Sequence, residues 1–131
     1  MSNVPQDLKY TRTHEWVRLL PDGLLEVGIT DHAQQALGDM VSVQMPVRGQ
    51  SVAAGKACAE VESAKAVSEV HSPVSGEIAM SNEKLVSAPE LINQDPYGKG
   101  WITRVRPADS AWQAQLLSVS GYEQLLQAEP E

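Results

Sequence analysis

Few side chains in this 131-residue sequence have the neighbours that chemistry requires. Cys58 is the only cysteine, which excludes an intramolecular disulfide, a Cys-x-x-Cys redox pair and a multi-cysteine zinc site, and is compatible with a reducing compartment. Its setting reads as a small buried hydrophobe in a strand. His14, His32 and His71 have no metal-ligand spacing, and there is no Gly-x-Ser-x-Gly elbow or phosphate loop. The chain therefore lacks a catalytic apparatus of its own. Lys65 stands apart. It sits in Val61-Glu62-Ser63-Ala64-Lys65-Ala66-Val67-Ser68-Glu69-Val70, between two alternating runs, with Gly55 ten residues before it and Gly76 eleven after. Lys56 to Glu62 and Val67 to His71 read as strands, and Ser63 to Ala66 supplies the small residues of a tight reversal. Lys65 is thus expected at the tip of a β-hairpin. A solvated lysine is a poor general base at neutral pH, but an exposed amine with small neighbours is an accessible site for covalent modification.

The elements that must position this hairpin follow from punctuation and periodicity. His14 to Leu20 and Leu24 to Ile29 form a first hairpin through Pro21-Asp22-Gly23. Thr30 or Asp31 caps a helix from about Asp31 to Leu37, with Gln34 as capping-box partner and Gly38 as its stop. Val41 to Met45, Ser51 to Ala53, Lys56 to Val61, Val74 to Ser81 and Gly100 to Val105 are strands. Asn82 to Leu85 and Pro89 to Asn93 are helical turns. After Arg106-Pro107, Ser110 to Leu116 and Val119 to Gln127 have helical spacing, and Leu116, Leu117, Tyr122, Leu125 and Leu126 form a face for docking on the sheets. Glu129-Pro130-Glu131 is expected to fray. Many short strands with frequent turns point to a mainly β fold, a small antiparallel sandwich or flattened barrel, in one domain spanning 1–131.

Phenylalanine is absent and aromatics make up 5% of the chain, so the core is expected to be aliphatic, with Trp16, Trp101 and Trp112 as its large pieces. Ten basic against seventeen acidic residues give a net charge of -7, which argues against nucleic acid and anionic membranes and suits partners with basic docking surfaces. The first seven residues have neither an apolar signal core nor an Arg-rich amphipathic pattern, and no run is long enough for a transmembrane helix. Cytoplasm is the expected location.

Glu62-Ser63-Ala64-Lys65-Ala66, followed by Ser72-Pro73-Val74-Ser75-Gly76-Glu77, resembles the lipoyl-attachment segment of the glycine cleavage system H proteins. Tyr10-Thr11 with His14-Glu15-Trp16-Val17, Val27-Gly28-Ile29-Thr30-Asp31-His32-Ala33-Gln34, Ala36-Leu37-Gly38-Asp39 and Asp95-Pro96-Tyr97-Gly98-Lys99-Gly100-Trp101 match that family in order, so the resemblance runs from about Leu8 to Leu126. Ala64 departs from the family's usual valine, Met45-Pro46-Val47-Arg48 replaces a more acidic loop, and Cys58 stands where a larger apolar residue is common. The resemblance implies a bacterial, monomeric, non-enzymatic carrier with a barrel-sandwich hybrid fold. Its two sheets would be quasi-equivalent, an idea echoed by Val52-Ala53-Ala54-Gly55 and Pro73-Val74-Ser75-Gly76 on either side of Lys65.

By the same resemblance, lipoic acid is amide-linked to Lys65, within a motif of Glu62, Ser63, Ala64, Ala66 and Gly76. The carrier moves the aminomethyl group of glycine from a pyridoxal-phosphate glycine decarboxylase to a tetrahydrofolate-dependent aminomethyltransferase. A flavin dihydrolipoamide dehydrogenase then reoxidises it with NAD, and lipoyl-attaching enzymes are further partners. Gly76 is expected at a turn or close backbone approach with φ above zero, positioning the hairpin. A loaded arm needs shelter from water, for which Glu15 is the acidic candidate and Ile29, Ala33 and Leu37 the apolar ones. Three other readings stay open: a lipoyl domain of another complex or a lipoate relay, a biotin carrier, and an interaction module without cofactor. An acidic residue before the lysine would favour another complex's lipoyl domain and flanking methionines a biotin carrier; both positions here are alanine. Intact mass separates lipoylated, biotinylated and unmodified chains.

Overall fold

The computed structural model describes residues 4–128; the expected fraying of Glu129-Pro130-Glu131 lies outside the described residues. The strands are β1 (Lys9–Tyr10), β2 (Glu15–Leu19), β3 (Leu25–Ile29), β4 (Met40–Gln44), β5 (Ser51–Val52), β6 (Ala57–Ser63), β7 (Val67–His71), β8 (Gly76–Ser81) and β9 (Thr103–Pro107). The helices are α1 (Asp31–Leu37), α2 (Lys84–Ser87), α3 (Leu91–Gln94) and α4 (Val119–Ala128). Every strand pair is antiparallel, in two sheets ordered β1-β2-β3-β9-β8-β5 and β4-β6-β7. Neither sheet closes on itself. The sheets are unequal, six strands against three, and the two glycine turns flanking Lys65 are not equivalent: Gly55 is left-handed at φ 81° whereas Gly76 lies in a strand.

Strand parity decides what each sheet buries. Along β2 and β3, Glu15, Val17, Leu25, Val27 and Ile29 share one face in the register Glu15↔Ile29 and Val17↔Val27. Val17, Leu25 and Val27 join Val74, Ile78 and Val105 in one cluster, and Ile29 joins Met40, Val43, Cys58, Ala59, Val61, Val70, Leu85, Ile92 and Ile102 in another that binds the small sheet to α2 and α3. The opposite face presents Arg18, Glu26 and Arg104 in one row, with Glu26 accepting from both guanidinium groups at 2.9 Å. Arg18 lies over Trp16, and Arg104 over Trp101.

The core departs from the aliphatic expectation at one corner. Tyr10, Trp16 and Tyr122 are fully buried together with Leu8, and Tyr10 stacks on Tyr122 with ring centroids 4.6 Å apart. Leu117, Leu125 and Leu126 pack on this corner as the helical spacing implied, while Leu116 packs on the Ile78 cluster. Trp101 and Trp112 are only half buried.

Other differences are local. Strand β1 was not expected, because two residues carry no alternation; it exists by pairing Tyr10 with Trp16 and bridging Leu117. Ser110 to Leu116 contains only a 3-10 turn at Trp112–Gln115, and the last strand starts at Thr103 because Gly100 and Ile102 bond into neighbouring segments. Strand β6 takes Cys58 and Ala59 inward consecutively, which the register shift between Ala57 and Ala59 permits as a bulge. At α1, Thr30 is the cap and accepts from Ala33 N–H, while Gln34 bonds the Asp31 carboxylate instead of closing a capping box.

Candidate functional site: the lysine loop

Between β6 and β7, Ala64, Lys65 and Ala66 form the loop, and all three are exposed. The turn is built by Ser63, which is 5% exposed. Its Oγ accepts from the backbone N–H of Lys65 at 3.3 Å and of Ala66 at 3.1 Å, and its own N–H donates to Ala66 O at 2.8 Å. Ala64 N–H donates out of the hairpin, to Asp39 O at 3.1 Å. Every amide of the loop is therefore held while every side chain is free. Serine at the first corner offers the backbone a local acceptor, the role of Ser and Thr in such turns.

Lys65 extends alongside the C-terminus of α1, its Cε 3.5 Å from where a Cβ on Gly38 would lie. Gly38 caps α1 with φ 87°, a conformation that glycine reaches without strain. Glu62 is exposed on the same hairpin. Gly76 is elsewhere: it begins β8 in the larger sheet, paired with Val52 and Pro107, and its φ is not positive. What requires glycine there is close approach, since a Cβ would overlap the Arg106 carbonyl oxygen. The expected close backbone approach is present, whereas the expected positive φ and the place beside the hairpin are not.

Of the four residues proposed to shelter a loaded arm, Glu15 borders a cleft whose lining does not include Ile29, Ala33 or Leu37. Glu15 is 1% exposed and borders a cleft of 330 Å³ with Thr11, Thr13, His71, Leu116 and Leu117. Its Oε1 accepts from the hydroxyls of Thr11 and Thr13, and its Oε2 from His71 N–H at 3.1 Å. The His71 ring bridges toward two carboxylates, Nδ1 at 3.6 Å from Glu15 and Nε2 at 3.8 Å from Glu69. Ile29 is core at 4% exposure, and Ala33 and Leu37 pack half-buried on the same cluster. By type alone a glutamate at the start of a strand reads as solvated; the parity Glu15 shares with Val17 is the sequence signal that turns it inward.

Cys58 is 9% exposed, and burial, then the Glu15 carboxylate, push its thiol up to about 11. An inert thiol follows, as the sequence implied. Among the described residues no three of His, Cys, Asp and Glu gather as a metal site, and no helix is long and apolar enough to cross a membrane.

An exposed lysine on a turn whose amides are all bonded, carried by two small antiparallel sheets, is the form expected of a carrier domain. The comparisons narrow the class. Residues 8–129 match the family model for the glycine cleavage H-protein. The glycine cleavage system H protein of Halorhodospira halophila is 54% identical over 126 residues, covering 96% of this chain and 97% of that one. That of Cronobacter sakazakii is 53% identical over 129 residues, covering 98% and 100%. The crystal structure of a glycine cleavage system H protein from Mycobacterium marinum superimposes with a TM-score of 0.87 at 43% identity, covering 95% of this chain and 99% of that one. The chain belongs to the glycine cleavage H-protein family.

Proposed function

We propose that Lys65 bears the lipoyl group through which this chain, a carrier subunit of the glycine cleavage system and not itself an enzyme, serves glycine decarboxylase, aminomethyltransferase and lipoamide dehydrogenase. The observation that carries the assignment to Lys65 is the loop itself: a free lysine with two alanine neighbours on a backbone whose amides are all bonded. The residues fit the group. Ala64 and Ala66 leave an attaching enzyme room to grip the turn, and the Gly38 surface accepts an aliphatic stem. When attached, the lipoyl group would supply a disulfide that opens to take up the aminomethyl cargo and, once the cargo has left, a dithiol for the dehydrogenase to oxidise back. The chain supplies a fixed tether that raises the local concentration of the arm at a docked partner. Acylation also removes an ammonium that would be costly to bury in a partner's active site. Intact mass and peptide mapping test the assignment: a lipoyl group on any other lysine, or a biotinyl group, overturns it.

The same reading takes the chain as one monomeric domain acting in the bacterial cytoplasm. It makes Glu15 the carboxylate that receives the cargo's amine, with the hydroxyls of Thr11 and Thr13 yielding to it, and Ile29, Ala33 and Leu37 the apolar side of the route. Supporting Glu15 are its burial and its place on the wall of a cleft. Glu15→Gln should speed hydrolysis of the loaded carrier several-fold without partners present, while lipoylation and reoxidation stay at wild-type rates. Unchanged hydrolysis places the protective carboxylate elsewhere.

A further inference from the structure

The height of the lysine loop is set from outside its hairpin. The Asp39 carbonyl that receives Ala64 N–H belongs to the Asp39-Met40 peptide, and the N–H of that peptide donates to Oδ1 of Asn93 at 2.9 Å. Asn93 lies in α3 and is half buried. Its Nδ2 donates to Gly38 O at 2.8 Å, on the peptide at the other side of Asp39, and to Oε1 of Gln34 in α1 at 3.0 Å. One amide side chain therefore grips both peptides flanking Asp39, and the second transmits the constraint to Ala64. Hydrogen bonds in series through a peptide group polarise and strengthen one another. The gripped Gly38 is also the surface against which the Lys65 stem lies.

We propose that Asn93 is the positioning residue for Lys65, indexing the loop to α1 and α3 so that an attaching enzyme meets the amine in one geometry. This deepens the assignment of Lys65 as the modified lysine and rests on it. Asn93 touches neither the lysine nor a cofactor; it acts through Gly38, Asp39 and Ala64.

The test starts with the unmodified wild-type chain. Ala64 is exposed, so its amide exchanges slowly only if the bond to Asp39 is held, and protection above about a hundredfold is expected. Open-chain exchange at Ala64 overturns the proposal. Asn93→Asp then keeps the acceptor for Met40 but turns an oxygen toward Gly38 O and Gln34 Oε1. Enzymatic lipoylation of Lys65 should lose about tenfold or more in kcat/KM, with Ala64 protection falling in parallel. Ile78→Val, a truncation in the other core cluster, should leave both at wild-type values when compared at equal folded fraction. Unchanged kcat/KM in Asn93→Asp, or an equal fall in Ile78→Val, overturns the proposal. If the charged variant does not fold, Asn93→Ala, which removes the grip without adding repulsion, answers to the same two readouts. Should peptide mapping find wild-type lipoate on another lysine, the Lys65 reading fails, while Ala64 protection in the Asn93 variants still judges the grip.

Discussion

The lysine loop and the aromatic corner around Tyr122 are built on opposite principles. In the loop the side chains are small and exposed, and order resides in the backbone, whose amides bond to Ser63 Oγ and Asp39 O. In the corner order resides in the side chains. Tyr10, Trp16 and Tyr122 are wholly buried, with Trp16 Nε1 donating to Pro96 O at 2.9 Å and the Tyr122 hydroxyl bonded to His14 Nδ1 at 2.7 Å and Thr30 Oγ1 at 2.8 Å. The backbone there even tolerates strain, since His14 is left-handed at φ 70°, a conformation costing of order 1–3 kcal/mol for a non-glycine residue. Stability and presentation are thereby separated. The corner stabilises the fold by burying large rings, and the loop leaves the side chains of Ala64, Lys65 and Ala66 exposed.

Substitutions that move one property and spare the other test that separation. The largest effect is expected at Lys65→Arg, which keeps charge and exposure but removes the acylable amine. Mass spectrometry should find no lipoylation, and the melting temperature should stay within about 2–4 °C of wild type. Tyr122→Ala is the mirror case. It should cost about 3–5 kcal/mol in denaturant unfolding, yet the folded fraction should be lipoylated at the normal rate. A loss of lipoylation in the folded fraction would mean that corner and loop are coupled.

Gly76→Val separates stability from presentation at a third place. The new side chain must displace the Arg106 backbone, so unfolding should ease by about 2–3 kcal/mol. Because Gly76 belongs to the larger sheet, lipoylation of folded protein should not change. A wild-type melting temperature would show that the strand absorbs the clash.

The smallest effect is a pH dependence. The Cys58 thiol titrates higher in the folded chain than its ordinary value of 9.0, at about 11, so above pH 9 the unfolded chain loses a proton that the folded chain keeps. Stability from this group is complete below pH 9 and is lost as pH rises toward 11, by at most about 3 kcal/mol. Tyr97, pushed up to about 12 chiefly by burial, adds the same trend from pH 10 upward. In Cys58→Ala the slope between pH 9 and 10 should flatten; equal slopes would show that the thiol is not buried in solution.

What the sequence determined by itself was local and repetitive. Alternation and turn residues defined β7, the first hairpin and the limits of α1, and placed Lys65 at a tip, because period and punctuation are properties of a few adjacent residues. Family-like blocks in the right order identified the chain. What only the tertiary structure decided were relations across long separations. Glu15 is buried because β2 turns that face inward, and β1 exists because Leu117 bridges it. Gly76 is needed because β9 passes close by, and Asn93 reaches Met40 over 53 residues. A side chain's chemistry is written in its type, but its burial and partners depend on which distant strand folds against it. That pairing is set by the packing of the whole core, and no window of neighbouring residues contains it.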